Sequence, residues 1–113
     1  MTFEAAHRLP NVPPGHKCSN LHGHSYRCEV AIVGDVDPVT GWFVDFADIA
    51  AAFAKVHKKV DHRYLNEVVG LENPTAENIA AWIWNTLAPN VPGLACVTLR
   101  EGFTSGCVYR GPT

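Results

Sequence analysis

Three histidines carry the densest chemistry in this chain. His22 and His24 stand as Leu21-His22-Gly23-His24-Ser25, and His7 stands as Ala6-His7-Arg8. In an extended strand, side chains two apart project from the same face. His22 and His24 therefore point together. A third imidazole from another strand completes a three-nitrogen set with one coordination position open, the ligand pattern of a catalytic rather than a structural zinc. Taken singly, any one of the six histidines reads equally well as an ordinary surface or core residue. The His-x-His spacing favours the ligand reading.

Three further features bear on chemistry. Glu101 is in phase with Val97 and Leu99, the apolar side of its strand. A buried carboxylate is costly unless it is paired, so Glu101 either reaches solvent at the strand end or accepts from a ligand with two adjacent N–H donors, such as a guanine or pterin edge. Cys18 lies in His16-Lys17-Cys18, just before the histidine pair. A loop thiol beside a lysine and near a metal can be activated, or it can be incidental. Asp61-His62 follows a helical pattern, and a carboxylate that orients a histidine is a common acid–base arrangement. The plainer reading is a histidine favoured at a helix C-terminus.

The surrounding elements must position these groups. Thr2–Leu9 reads as a strand with Phe3, Ala5, His7 and Leu9 in one phase. Residues 10–21 form a loop punctuated by Pro10, Pro13, Pro14 and Gly15. His22–Val33 reads as a long strand on which both histidines continue the apolar face. Two strands thus bring ligands to the same end of one buried surface. A turn region with Asp37-Pro38 leads to a short returning strand at Trp42–Val44. Phe46, Ile49, Phe53, Val56 and Val60 then recur at helical spacing, with Asp45 or Asp48 at the start. Asp61–Pro74 reads as a loop. Thr75 caps a second helix whose inner face is Ile79, Ile83 and Leu87, and Pro89 stops it. Leu94–Glu101 and Cys107–Arg110 pair across a Gly102–Gly106 hairpin. The expected architecture is α+β: a four-stranded antiparallel sheet with two helices on one face.

The length of 113 residues suits a single domain spanning 1–113. A net charge of −2 with no basic run argues against nucleic acid. No apolar stretch approaches a membrane span, and no signal peptide precedes the first strand. The four cysteines form no Cys-x-x-Cys pair, so reduced thiols in a cytoplasmic protein are expected.

Phe3-Glu4-Ala5-Ala6-His7-Arg8-Leu9, Cys18-x-x-Leu21-His22-Gly23-His24, Val44-Asp45-Phe46, Asp61-His62-x-x-Leu65-Asn66, Pro74-Thr75-x-Glu77-Asn78 and Glu101 occur in order along nearly the whole chain. Together they resemble the 6-pyruvoyl-tetrahydropterin synthase family. Cys107-Val108-Tyr109-Arg110-Gly111 resembles its bacterial branch, the 6-carboxytetrahydropterin synthases of queuosine biosynthesis. The resemblance implies a tunnelling fold, in which three subunits join their sheets into a barrel and two trimers stack into a homohexamer. It implies zinc on His7, His22 and His24. It also implies Cys18 as general base, His62 as acid–base partner with Asp61 behind it, Glu101 holding the pterin ring, and Thr75 near the pterin. The implied substrate is 7,8-dihydroneopterin triphosphate, in a pocket between subunits, so Cys18 and His62 need not come from one chain. Arg8, Lys17, Lys55 and Arg63 are candidates to grip the triphosphate. The start departs from the pattern, because family members carry a longer first strand ahead of the residue matching His7.

Two other readings are weaker. His22-x-His24 with Glu29 resembles part of a cupin metal motif, but Glu29 lies in the opposite strand phase and two helices do not suit a jelly roll. A pterin-binding module without catalysis would have no need of a thiol at position 18.

Overall fold

The computed structural model describes residues 1–112. Its elements are β1 (Thr2–His7), β2 (His22–Ile32), α1 (Phe46–Val60), β3 (Arg63–Tyr64), α2 (Ala76–Leu87), β4 (Leu94–Glu101) and β5 (Ser105–Tyr109). Short 3-10 turns lie at Lys17–Ser19, Leu65–Glu67 and Ala88–Asn90. The strands form one mixed sheet in the order β3-β1-β2-β4-β5. β1, β2, β4 and β5 pair antiparallel in succession, and β3 runs parallel to β1.

The sheet therefore has five strands, not the four expected. The extra strand, β3, lies within the segment read as loop. Two residues are too few to show a period-two pattern. β3 owes its place to the residues before it, where the His62 N–H donates to the Glu4 carbonyl at 2.6 Å and the Asp61 carboxylate accepts from the Glu4 N–H at 3.0 Å.

Trp42–Val44 is not a strand. Asp37 competes for that backbone. Its carboxylate accepts from the Val39 and Thr40 N–H groups, and its own N–H donates to the Trp42 carbonyl. Such local side-chain bonding displaces ladder pairing. Phe43 then packs over Gly34, where a Cβ would collide with its ring.

Both helices start where side chains can take their free N–H groups. Asp45 accepts from the Ala47 N–H, and Thr75 accepts from the Asn78 N–H. α2 ends at Leu87 and tightens into the turn holding Pro89. β5 starts at Ser105, opposite Glu101, two residues before the expected point.

The helices cover one face of the sheet. Phe3, Ala5, Tyr26, Cys28, Val97 and Leu99 are buried there against Val56, Val60, Ile79, Ile83 and Leu87. Each large aliphatic side chain withdrawn from water contributes about 1.5–3 kcal/mol. Phe3 stacks on Tyr26 with ring centroids 4.8 Å apart. On the other face Glu4, Ser25, Arg27 and Glu29 are exposed. The alternation fixes register, since a slip of one residue would turn the histidines to the bare face.

Candidate functional site

Register brings the histidines together. His7 stands directly opposite His22 across the β1–β2 ladder, and His24 lies two residues further along the same face. One ring nitrogen from each of the three falls within 4.8 Å of the others. Gly23 between the pair lets β1 come close, since a Cβ there would press on the Ala5 carbonyl at 3.3 Å.

Nearby carbonyls set the tautomers of two of these rings. His7 Nδ1 lies 2.8 Å from the Pro74 carbonyl, and His22 Nδ1 lies 2.7 Å from the Asn20 carbonyl. A carbonyl only accepts, so both Nδ1 atoms donate. Burial, then the neighbouring His22 and His24, favour neutral His7, although the bond to the Pro74 carbonyl opposes them. Neutral His7 therefore presents an Nε2 lone pair. His22 Nε2 faces it at 3.1 Å. Two neutral rings with the proton on Nδ1 would meet here as two acceptors, an arrangement that a cation satisfies. His24 Nε2 is buried with no hydrogen-bond partner, and the nearest carboxylate oxygen, on Glu101, is 3.7 Å away. The donor set of three imidazoles could hold a metal ion and suits a borderline-soft one.

Glu101 lies opposite Tyr26, with a side chain only 18% exposed. Burial pushes its carboxyl above the ordinary value, and His24 and His22 oppose that rise. Glu77, in the first turn of α2, adds to it. The group beside the histidines is thus a partly buried carboxyl, 3.7 Å from His24 Nε2. Thr75 spends its hydroxyl oxygen as the cap of α2. The peptide before it supplies the carbonyl that orients His7.

Cys18 sits in the 3-10 turn at Lys17–Ser19. Its carbonyl accepts from the Leu9 N–H, and its own N–H donates to His16 Nδ1. Asp61 and His62 lie at the β1–β3 edge. Asp61 Oδ2 holds His62 Nδ1 at 2.8 Å, and His62 takes a left-handed φ of 56°. That conformation is uncommon for a residue with a side chain. The Glu4 N–H, then His62, hold the Asp61 carboxyl below its ordinary value. The His62 ring is 79% exposed. Among the described residues, no hydrogen bond joins Cys18 to His62 or either of them to the three-histidine cluster. His62, Arg63 and His24 do share a groove of about 560 Å³ with Glu4, Gly23 and Ser25. Of the other basic candidates, Lys55 lines a separate groove with Asp48 and Asn90.

Sequence reasoning missed several supports. Tyr26 is one of them. Its hydroxyl lies 3.2 Å from His7 Nδ1, and its ring meets those of His7 and His24 edge-on. The phase of Tyr26, two residues after His24, was the available signal. The Asn66 side chain accepts from the Arg8 N–H and donates to the Arg8 carbonyl, fixing the chain just after His7. The carbonyls of Asn20 and Pro74 leave no mark in a sequence.

An α+β sheet with a three-histidine cluster on its helix-covered face and a carboxyl beside it defines a candidate metal-binding enzyme. Residues 1–112 match the 6-pyruvoyl tetrahydropterin synthase family, and the chain belongs to it. The chain is 43% identical to a 6-carboxy-5,6,7,8-tetrahydropterin synthase of Synechocystis, covering 98% of this chain and 89% of that protein. It is 36% identical to a dihydroneopterin monophosphate aldolase of Pyrococcus furiosus, over 89% of this chain and 84% of that one. The structure of 6-pyruvoyl tetrahydropterin synthase from Caenorhabditis elegans superposes with a TM-score of 0.89 at 30% identity, covering 99% of this chain and 91% of that chain. Among the described residues, no helix is long and apolar enough to cross a membrane.

Proposed function

We propose that this chain is a zinc-dependent lyase. It converts 7,8-dihydroneopterin triphosphate to 6-carboxytetrahydropterin, releasing triphosphate and acetaldehyde, as a cytoplasmic step in queuosine biosynthesis. One observation carries the reading. Three imidazoles converge, one of them with a buried nitrogen that has no hydrogen-bond partner, beside a carboxyl that burial pushes above its ordinary value, in a chain of this family.

His7, His22 and His24 would hold the metal, and bound zinc supplies Lewis acidity to the substrate's side-chain oxygens. The Cys18 thiolate takes a side-chain proton. His62, kept in one tautomer by Asp61, has its Nε2 free to pass protons. Glu101 accepts two N–H donors from the amino-pyrimidinone edge of the pterin. Thr75, at the start of α2, lies near the ring. No hydrogen bond joins Cys18 to His62 among the described residues, which supports an assembly as the working unit. We propose a homohexamer of two stacked trimers, each a barrel of three joined sheets and each chain a single domain.

The pyruvoyl product is the alternative, since the same residues would serve both reactions. The identity to the Synechocystis protein favours the carboxy product. Mass spectrometry of the products from dihydroneopterin triphosphate separates them. 6-Carboxytetrahydropterin with acetaldehyde is expected. A three-carbon pyruvoyl side chain left intact at C6 of the ring, or an unreacted substrate, contradicts the assignment.

A further inference from the structure

The turn that carries Cys18 is fastened unevenly. Its far end is tied to the metal-ligand cluster. The Cys18 carbonyl takes the N–H of Leu9, just after β1, and the Asn20 carbonyl takes the proton of His22 Nδ1. At its near end the N–H of Cys18 goes to a side chain, His16 Nδ1, at 3.1 Å. His16 has the extended backbone of an N-cap residue, with φ −67° and ψ 133°. Its carbonyl accepts from the Ser19 N–H at 3.1 Å and the Ser19 hydroxyl at 2.8 Å. An acceptor at Nδ1 requires the neutral ring with its proton on Nε2.

We propose that His16 is the positioning residue for Cys18. Its ring caps the turn so that the thiol is presented toward the substrate from a fixed backbone. The role in turnover rests on the pterin lyase reading, while the cap itself does not. An N-cap is ordinarily Ser, Thr, Asp or Asn, whose side-chain oxygen accepts from the second or third N–H. Cys18 supplies the second N–H of this turn. Asparagine carries Oδ1 on Cγ, as histidine carries Nδ1 on Cγ. His16→Asn therefore keeps an acceptor at that position and deletes the distal nitrogen, separating a cap from an acid–base group.

The test compares the parent with His16→Ala and His16→Asn, reading amide hydrogen exchange over residues 16–20, zinc content, and kcat and KM. In His16→Ala, zinc is expected to stay stoichiometric and the Cys18 amide to exchange faster. With the cap lost, kcat should fall about five-fold at nearly constant KM. His16→Asn should bring exchange and kcat back to within about two-fold of the parent. Parent-like exchange and kcat in His16→Ala overturn the proposal, as does zinc loss in that variant. So does a His16→Asn chain as impaired as His16→Ala, which would assign the effect to Nε2. If no chain turns over the pterin triphosphate, exchange decides alone. Faster exchange in the alanine variant, restored by asparagine, then upholds the cap and counts only against the pterin reading.

Discussion

On the helix-covered face, His7, His22, His24 and Glu101 meet within one chain because neighbouring strands place them in one phase. At the rim, Cys18 rides a short turn and the Asp61–His62 pair sits at the β1–β3 edge, with no hydrogen bond between them. The first region is a product of register and burial. His7 is 1% exposed, and Tyr26 meets its ring edge-on. The second region is held by a few hydrogen bonds to β1, to Leu9 just after it and to neighbouring side chains. The difference teaches that register alone gathers the three imidazoles of one chain, whereas Cys18 and His62 are held by separate turns and edges, which is why the proposed pocket draws on a neighbouring copy.

Turnover should expose that division most strongly. Cys18→Ala is expected to lose about a hundred-fold or more in kcat while keeping its metal, and His62→Ala should behave likewise. If each pocket takes Cys18 from one copy and His62 from another, dissociating and reassembling the two variants together should restore about a quarter of the pockets. Recovered activity near that level, measured after mixing equal amounts, supports the shared pocket. No recovery at all places both groups in one chain.

Glu101→Gln tests the covered face. The amide keeps the shape but turns one acceptor into a donor against a ligand N–H. Losing a charge-assisted bidentate contact should weaken binding of a non-reactive pterin by about 2–3 kcal/mol, some tens to hundreds of fold. Calorimetry with unaltered zinc content checks this, and parent-like affinity would remove Glu101 as the anchor.

The smallest effect belongs to Asp61. The fold depresses its carboxyl, through the Glu4 N–H first and His62 next. The ionised group therefore favours the folded chain above the unfolded value of about 3.9, and that contribution is lost as pH falls through the lower folded value. Asp61→Asn should lower the urea midpoint at pH 7, with the gap to the parent closing toward pH 3. A gap independent of pH would assign the loss to packing rather than charge.

Much of this division is legible in the sequence. Phase alone places His7, His22, His24 and Glu101 on the apolar side of long strands, and Thr75 announces a helix. β3 is not legible, since two residues carry no period, and the pairing depends on a left-handed His62. The Trp42–Val44 segment misleads because apolar residues suggest a strand where the Asp37 N–H has already taken the Trp42 carbonyl. Cysteine phase separates two thiols. Cys28 points into the core, where burial pushes its thiol up to about 11. Cys18 sits on a half-exposed loop. What the sequence withholds is the pair of carbonyls, from Asn20 and Pro74, that fix the imidazole tautomers.

The central claim is that one chain's covered face binds a catalytic zinc through three imidazoles. Titrating zinc into metal-stripped protein by calorimetry tests it most directly. The account predicts one zinc per chain in the parent and in Cys18→Ala, and none at comparable affinity in the His22→Ala, His24→Ala double variant. Full stoichiometric binding by that double variant would contradict it.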